Sequence, residues 1–313
     1  MKILAIESSC DEFSVGVIEN GKILCNVVSS QIEDHKQFGG VVPELAARLH
    51  VENLNWVLNE VKEQINLDWA TIDRVAYTAH PGLLGSLIIG KMVAQTIGMY
   101  LNKPVVGLDH IEGHIFASAI NNTFTYPALA LIVSGGHTQI ELVRSPNDFE
   151  IIGSTIDDAI GESYDKVARV LGFNYPGGAE IDKRAQLGQP TYQLPLAKND
   201  QSYDFSYSGL KTAAINLLHN LQQKQAPIDV NNFCASFQKA ATEVIQMKFE
   251  RAIKEFKPTT LTVGGGVSAN SKIREMILQL GQQYHITNTI IPQFEYCTDN
   301  GAMMAQLAFE KFK

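Results

Sequence analysis

The sequence predicts an α/β protein made of two halves of like architecture with a central cleft between them. A strand, a small polar turn, a second strand, another turn and a third strand occupy residues 3–29, and the same order returns over residues 128–154. Helical patterns follow each block. Such a recurrence is typical of an internal structural repeat. The 313 residues are also enough for two halves, each with a core of its own.

In the first half, short apolar runs are separated by turn signals. Asn20-Gly21 predicts a hairpin turn, and Pro43 stands where a helix accepts proline, in its first turn. The glycines of residues 81–87 would let the backbone approach a ligand closely. The predicted strands are 3–6, 14–18, 22–29, 74–78 and 104–108, and the predicted helices are 42–65, 88–101 and one that begins at His110.

The helix at residue 110 carries two histidines four residues apart. On a helix this spacing puts His110 and His114 on one face, where two imidazoles can bind one transition metal. Asp109 is predicted as the N-cap and Glu112 as the N3 residue of a capping box. Glu112 stands one place too late for the zinc-peptidase pattern H-E-x-x-H, about 200° around the helix from His110. The pair alone is compatible with metal ligands and with ordinary surface residues.

The second half contains several polar, glycine-rich loops that each precede a helix. Its predicted strands are 128–133, 139–144, 149–154 and 260–263, and its helices follow loops near residues 157, 175, 205, 264 and 297. Three glycines at 264–266 allow close contact with a flat ring or a phosphate, although neither the Walker nor the dinucleotide fingerprint is present. Asp299, at the head of the last helix, is either its N-cap or a third metal ligand.

Composition and charge restrict the class of protein. A hydrophobic share of 45%, a charged share of 19% and a net charge of −8 suit a globular protein without a broad surface for nucleic acid. Any nucleic-acid partner would need a local basic patch or a companion protein. Four scattered cysteines without a C-x-x-C pair predict reduced thiols. No apolar run reaches the roughly eighteen residues of a membrane span, and the start lacks signal-peptide features, so we expect a cytoplasmic protein without membrane contact.

A set of eight motifs in a fixed order extends over almost the whole chain. They are Ile6-Glu7-Ser8-Ser9-Cys10-Asp11-Glu12, His110-x-x-x-His114, Val133-Ser134-Gly135-Gly136-His137-Thr138, Gly161-Glu162 to Asp165-Lys166, Tyr175-Pro176-Gly177-Gly178, Phe205-Ser206-Tyr207-Ser208-Gly209-Leu210-Lys211-Thr212, Gly264-Gly265-Gly266-Val267-Ser268-Ala269-Asn270 and Cys297-Thr298-Asp299-Asn300-Gly301-Ala302-Met303. Through this series the chain resembles the TsaD/Gcp family, the tRNA N6-adenosine threonylcarbamoyltransferases of the bacterial or organellar type.

The resemblance implies a fold and a domain division. The fold is that of actin, Hsp70 and the sugar kinases (ASKHA), two RNase-H-like halves around a central cleft. One half would comprise residues 1–127 with the C-terminal helix 300–313 and carry the histidine helix. The other would comprise residues 128–299 and carry the adenylate-binding loops.

The same resemblance implies a reaction and its site residues. The threonylcarbamoyl group would pass from threonylcarbamoyl-adenylate to N6 of the adenosine 3′ of the anticodon in ANN-decoding tRNAs, with release of AMP. One divalent metal, usually Fe(II) and sometimes Zn, would bind His110, His114 and Asp299. The implied adenylate-binding residues are Val133, Ser134, Gly135, Gly136, His137, Asp165, Gly178, Asp182 and Asn270. No catalytic residue beyond these ligands is assigned.

Partners follow from the resemblance as well. They are tRNA, the helper proteins TsaB and TsaE, and a TsaC-type synthase that supplies the adenylate. A local basic patch for tRNA is expected from Lys166, Arg169, Lys183, Arg184 and Lys211, which could instead be solvated helix surface.

Three other functions compete with this interpretation. A metallopeptidase would need a general base at the metal, which Glu112 is poorly placed to supply. An actin-like scaffold would lack the metal residues, and a small-molecule kinase of the same fold would have no task for the paired histidines.

Overall fold

A computed structural model describes all residues, 1–313. The chain forms two compact units, residues 1–123 with 292–313 and residues 124–291. The division predicted from sequence placed residues 124–127 with the first half and residues 292–299 with the second, whereas in the structure residues 124–127 belong to the second unit and residues 292–299 to the first. Asp299 therefore lies in the same unit as the two histidines.

The first unit is built on a five-stranded sheet of order β3-β2-β1-β4-β5. Asn20 and Gly21 both have positive φ angles, 49° and 85°, as the predicted two-residue hairpin requires. The pairs β1/β2 and β2/β3 are antiparallel, and β1/β4 and β4/β5 are parallel. The strands are β1 Lys2–Glu7, β2 Glu12–Glu19, β3 Lys22–Ser30, β4 Arg74–His80 and β5 Val105–Asp109.

Four helices of the first unit precede the second unit in the chain. They are α1 Ile32–Lys36, α2 Pro43–Ile65, α3 Leu84–Leu101 and α4 His110–Ala117. Helix α3 begins four residues before the predicted start, so that Gly85 lies inside the helix. Gly82 remains in the preceding loop, where a Cβ would come within 2.6 Å of the Ser9 carbonyl oxygen. This glycine therefore lets the loop before α3 pack against the loop after β1.

Helix α3 has an exposed apolar face. Leu84, Ile88, Met92, Met99 and Tyr100 are exposed, and only 22% of the helix is buried. By length and composition α3 could cross a membrane, but a single helix of this kind is weak evidence for a span. These five exposed apolar side chains on one helix exceed the singly scattered ones that are normal on a protein surface.

The second unit repeats the topology of the first. Its sheet has the order β10-β9-β6-β7-β8. The pairs β6/β7 and β7/β8 are antiparallel, and the pairs β6/β9 and β9/β10 are parallel. The strands are β6 Ala128–Val133, β7 Thr138–Ser145, β8 Asp148–Ser154, β9 Thr260–Gly264 and β10 Asn288–Ile290. The predicted repeat is confirmed. Strand β10 was not predicted, because three residues are too short to show a period.

Five helices belong to the second unit. They are α5 Ile160–Val170, α6 Gly178–Ala185, α7 Ser208–Gln223, α8 Val230–Phe256 and α9 Ser271–Gln283. Helix α8, with 27 residues, was not predicted although its signals are present. Asp229 caps it by accepting a hydrogen bond from the Asn232 amide, and Phe233 and Phe237 begin its buried face.

The last helix, α10 Gly301–Phe312, returns to the first unit. Its N-cap is Asn300, whose Oδ1 accepts a hydrogen bond of 3.0 Å from the Met303 amide. The alternative role of Asp299 as the N-cap is therefore wrong, and its carboxylate is available for other contacts. The Gly301 amide donates to Ser14 Oγ at 2.7 Å, which fixes the start of α10 on β2.

Helix α7 is capped from a distance by Asp157. One carboxylate oxygen accepts hydrogen bonds from the Tyr207 and Ser208 amides at 2.8 and 3.2 Å. The other accepts from the hydroxyls of Ser206 and Ser208. Burial alone would raise the pKa of Asp157, but these donors lower it to about 2. The carboxylate thus does for α7 what an N-cap side chain does elsewhere.

Asp157→Ala is expected to cost about 1 kcal/mol at neutral pH, the usual cost of losing a cap, which is roughly 2–4 °C in melting temperature. Since the folded pKa lies below the ordinary value of 3.8, the stabilisation is present above about pH 4 and is lost as the pH falls toward 2. The difference in melting temperature between the two proteins should therefore stay constant from pH 7 to about pH 4 and narrow between pH 4 and pH 3. A constant difference over this range would contradict a charged cap.

Candidate functional site

Three potential metal ligands meet in the first unit. His110 and His114 lie one turn apart on α4, with ring centroids 4.5 Å apart. Asp299 Oδ1 lies 3.5 Å from His110 Nε2 and 3.1 Å from His114 Nε2. One ligand atom of each residue lies within 4.8 Å of the others, so the three can surround a single ion. The histidine pair and Asp299 are thus brought together as the sequence-based hypothesis requires.

The local fold holds the histidines rigidly. Asp109 Oδ1 accepts hydrogen bonds from the amides of Ile111 and Glu112, at 2.7 and 3.1 Å, and starts α4 at the first histidine as predicted. Both imidazoles are buried. A Cβ on Gly113, between them, would come within 2.5 Å of Met304 Sδ on α10, so α4 and α10 are in close contact here. This close packing of α4 on α10 brings the head of α10, and with it Asp299, to the histidines.

Glu7 supports His110 from the opposite side. Glu7 Oε2 lies 3.2 Å from His110 Nδ1, which fixes the ring and leaves Nε2 toward Asp299. Glu7 also accepts hydrogen bonds from the Ser9 amide at 2.6 Å and from the Thr78 hydroxyl. A carboxylate behind a ligating histidine is the usual second layer of a metal site. Sequence analysis included Glu7 in a motif but assigned it no role, because nothing local links it to a residue 103 positions away.

Charge coupling at the site is strong. Burial favours the neutral imidazole, but Glu7 and Asp299 raise the pKa of His110 to about 9. Burial also raises carboxyl pKa values, yet the neighbouring histidines hold the pKa of Asp299 well below its ordinary value. Protonated His110 thus supplies the positive charge that the buried Glu7 carboxylate and the half-buried Asp299 carboxylate require.

The donor set fits a divalent transition metal. Ligands about 2.0–2.2 Å from one ion are about 3–3.5 Å from each other, which matches both histidine distances to Asp299. Neither ring nitrogen of the buried His114 has a hydrogen bond of good geometry. A metal bound at Nε2, which faces Asp299, would give that nitrogen a partner. Two imidazoles and one carboxylate suit iron and zinc alike.

Glu112 faces away from these ligands. Its carboxylate lies 2.6 Å from Lys311 Nζ on α10. The predicted capping-box contact is replaced by this ion pair, because the packing of α10 on α4 offers Glu112 a cation. A carboxylate held this way is not available as a general base at the metal, which counts against the metallopeptidase alternative.

In the second unit the predicted loops pack on one another. Ser134 Oγ accepts hydrogen bonds from the amides of Gly136 and His137, at 3.3 and 3.0 Å, and so closes the loop after β6. A Cβ on Gly161 would lie 2.6 Å from the Ser134 carbonyl oxygen, and one on Gly265 would lie 2.4 Å from that of Val133. Around Gly135 and Gly136 the space is open. Backbone at these two exposed glycines is therefore accessible to a ligand.

Asp165 holds the start of α6. Its Oδ1 accepts a hydrogen bond of 2.8 Å from the Gly177 amide. Burial raises the pKa of Asp165, partly offset by the amides of Gly177 and Gly178. The predicted binding residues Asp165 and Gly178 thus meet at the head of one helix.

Asp182 and Asn270 are joined through a residue that sequence analysis did not assign. Gln238, on α8, donates to Asp182 Oδ1 and accepts from Asn270 Nδ2, both at 2.9 Å. The Ser271 amide also donates to Asp182, at 3.1 Å. Gln238 was missed because α8 itself was not predicted, and no local pattern distinguishes a buried glutamine with partners from a surface one.

Most of the expected basic patch is neutralised within the protein. Lys166 pairs with Glu162 at 2.5 Å, Arg184 pairs with Glu180 at 2.7 Å, and Lys211 pairs with Asp158. These three cations therefore add little free positive charge for tRNA. Together with the net charge of −8, these pairs count against a local basic patch formed by the three residues.

Comparison with known sequences gives one consistent result. Residues 22–306 match the TsaD family, described as tRNA N6-adenosine threonylcarbamoyltransferase. Proteins with that name are 66% identical to this chain in Mycoplasma capricolum, over 99% of this chain and 98% of the relative, and 63% identical in Mesoplasma florum, over 100% and 99%. A relative of the same name in Listeria monocytogenes is 48% identical over 97% of this chain and 89% of the relative.

Comparison with solved structures identifies the fold. T. kodakarensis HypF aligns with 99% of this chain and 48% of its own, with a TM-score of 0.68 and 13% identity. A ROK family glucokinase from Streptomyces griseus aligns with 99% of this chain and 98% of its own, with a TM-score of 0.52 and 10% identity. At such identities only the fold is shared. The predicted fold, that of actin, Hsp70 and the sugar kinases, is confirmed.

Proposed function

The chain belongs to the TsaD family of tRNA N6-adenosine threonylcarbamoyltransferases, and we propose that it forms N6-threonylcarbamoyladenosine beside the anticodon of ANN-decoding tRNAs. The observation that carries the proposal is the cluster of His110, His114 and Asp299 in a chain 66% identical to a relative of that name. A scaffold that had lost the activity would have no reason to keep three buried or half-buried ligands from two separate segments of the chain.

The reaction is an acyl transfer. The N6 amine of adenosine attacks the carbamoyl carbonyl carbon of threonylcarbamoyl-adenylate, the bond from that carbon to the phosphate oxygen breaks, AMP leaves, and the amine loses a proton. An adenine amine is a poor nucleophile, whereas the mixed anhydride is already activated. Correct placement of the two reactants therefore contributes more than a strong base.

His110, His114 and Asp299 would hold the metal, with Glu7 orienting His110. We propose Fe(II), the usual metal that the family resemblance implies, with zinc as the alternative. The donor set suits both ions. When bound, such an ion supplies Lewis-acid stabilisation of charge on carbamoyl or phosphate oxygens.

The loops of the second unit would bind the adenylate. We propose backbone contacts from Val133, Ser134, Gly135, Gly136 and His137, and side-chain or backbone contacts from Asp165, Gly178, Asp182 and Asn270. The open space at Gly135 and Gly136 supports this role, because only bare backbone can approach phosphate or a flat base so closely.

Protein partners complete the proposal. TsaB and TsaE would assist tRNA binding and turnover, and a TsaC-type synthase would supply the adenylate, in the cytoplasm. The paired lysines and the net negative charge support a need for companions. The exposed apolar face of α3 offers a surface that a companion could cover.

Transfer of radiolabelled threonine to unmodified tRNA tests the function. Purified protein is supplied with pre-made threonylcarbamoyl-adenylate, with and without the helper proteins, and with or without a chelator. We expect label on the adenosine beside the anticodon and loss of transfer after chelation. If no combination gives label while the same helpers support a known transferase, the scaffold alternative replaces this proposal.

A further inference from the structure

One buried glutamine joins three structural elements of the proposed adenylate site. Gln238 is only 6% exposed, on the inner face of α8. Its amide contacts Asp182 of α6 and Asn270 at the head of α9, both at 2.9 Å. The Tyr164 hydroxyl of α5 also lies 3.4 Å from Gln238 Oε1. Four helices thus meet in one polar cluster inside an otherwise apolar core.

The chemistry of the partners fixes the orientation of this amide. A carboxylate only accepts hydrogen bonds, so the NH2 group of Gln238 must face Asp182 and its oxygen must face the donors. Asp182 also accepts from the Ser271 hydroxyl at 2.7 Å, and Asn270 Oδ1 accepts from the Lys272 amide at 2.9 Å. Both side chains are therefore held at two ends, and Gln238 is the link between them.

We propose that Gln238 is a positioning residue for adenylate binding, which sets the orientation of Asp182 and Asn270 without touching the nucleotide. The inference rests on the proposed function, since that assigns Asp182 and Asn270 to the ligand. Among side chains of this length, only an amide offers at neutral pH a donor at one terminal atom and an acceptor at the other. The position therefore requires glutamine for its hydrogen-bonding pattern and not only for its volume.

Two substitutions of similar size separate these requirements. Gln238→Glu keeps the shape but sets a carboxylate against Asp182, whereas Gln238→Met keeps the shape without a hydrogen bond. In Gln238→Glu two carboxylates repel each other, and AMP binding is expected to weaken about ten- to a hundredfold. In Gln238→Met the side chains of Asp182 and Asn270 only lose a hydrogen-bond partner, and the loss of affinity should be smaller. The KM for threonylcarbamoyl-adenylate should rise by the same factor, with kcat changed by no more than about threefold.

A pH profile gives a readout that packing alone would not change. Once protonated, the carboxyl group introduced by Gln238→Glu can donate a hydrogen bond to Asp182. The AMP affinity of this variant should therefore recover as the pH falls from about 8 to about 5.5, while that of the wild type stays level or decreases. Gln246→Glu is the matched control, because Gln246 is exposed on the same helix. The control should bind AMP as the wild type does.

AMP affinity is measured by calorimetry on the full chain, and the melting temperature of each variant is recorded. If Gln238→Glu binds AMP within twofold of wild type, the inference is wrong. It is also wrong if both Gln238 variants lose affinity equally, in proportion to lost melting temperature and without pH recovery. AMP binding is read separately from transfer, so a wild type that binds AMP but transfers no label would overturn the proposed function and leave the role of Gln238 in nucleotide binding measurable.

Discussion

His110→Ala and His114→Ala are each expected to remove the bound metal and to slow threonylcarbamoyl transfer by about a hundred- to a thousandfold. Lewis-acid stabilisation is worth several kcal/mol, and each 1.4 kcal/mol or so corresponds to about a factor of ten in rate. In the proposed site each histidine is one of three protein ligands, and Asp299 Oδ1 lies 3.5 and 3.1 Å from the Nε2 atoms of His110 and His114. The two ligands left in either variant would hold the ion much more weakly than three. Metal content per chain and single-turnover transfer with pre-made adenylate measure both effects.

His219→Ala is the matched control, because His219 is exposed on α7 in the second unit. It should retain metal and activity. The variants at 110 and 114 should still bind AMP, since the proposed adenylate residues lie in the other unit. Wild-type transfer by both histidine variants in metal-free buffer would show that the metal has no part in the reaction.

Two features of the fold could be predicted from the sequence: the local elements of the first half, and the repetition of their order in the second half. Strands β1 to β3 and the turn at Asn20 depend on short-range patterns, since alternation and a left-handed two-residue turn are encoded within a few residues. The cap of α4 by Asp109 is local in the same sense. The repeat of these patterns then predicted two similar sheets, which the strand orders confirm.

The site could not be assembled from local patterns. Asp299 meets His114 only because α10 packs on α4 and is anchored by Ser14 on β2, a contact between residues 287 positions apart. No spacing rule encodes such a meeting. The position of Asp299 at a helix head left two alternatives, N-cap or metal ligand, and the resemblance to a family had to choose between them. The residues that hold these side chains in place were not assigned for the same reason. Glu7 contacts His110, and Gln238 contacts Asp182, each from a distant part of the chain.

The position of Asp299 depends on a close approach of two glycines. A Cβ on Gly301 would lie 2.1 Å from the Gly16 amide nitrogen, and one on Gly16 would lie 2.4 Å from the Gly301 carbonyl carbon. All of these contacts are to backbone atoms, which cannot rotate away as a side chain can. Strand β2 and the start of α10 would have to separate, and Asp299 is only two residues from Gly301.

Gly301→Ala is therefore expected to destabilise the protein by about 3 kcal/mol or more, at the upper end of the usual cost of overpacking. This corresponds to roughly 6–12 °C in melting temperature for a unit of this size. Metal affinity should fall as well, because the shift moves Asp299 away from His110 and His114. Melting curves and metal titration of the freshly purified variant measure the two effects.

Gly209→Ala separates close packing from the general effect of removing a glycine. Gly209 is an exposed residue in the first turn of α7, with no atom within 4 Å of an added Cβ. Alanine is the better helix former, so this substitution should leave stability unchanged or raise it by up to about 1 kcal/mol. Opposite signs at the two positions would show that the approach of β2 to α10 sets the cost at Gly301. Unchanged melting and metal affinity in Gly301→Ala would instead show that the start of α10 can shift without moving Asp299.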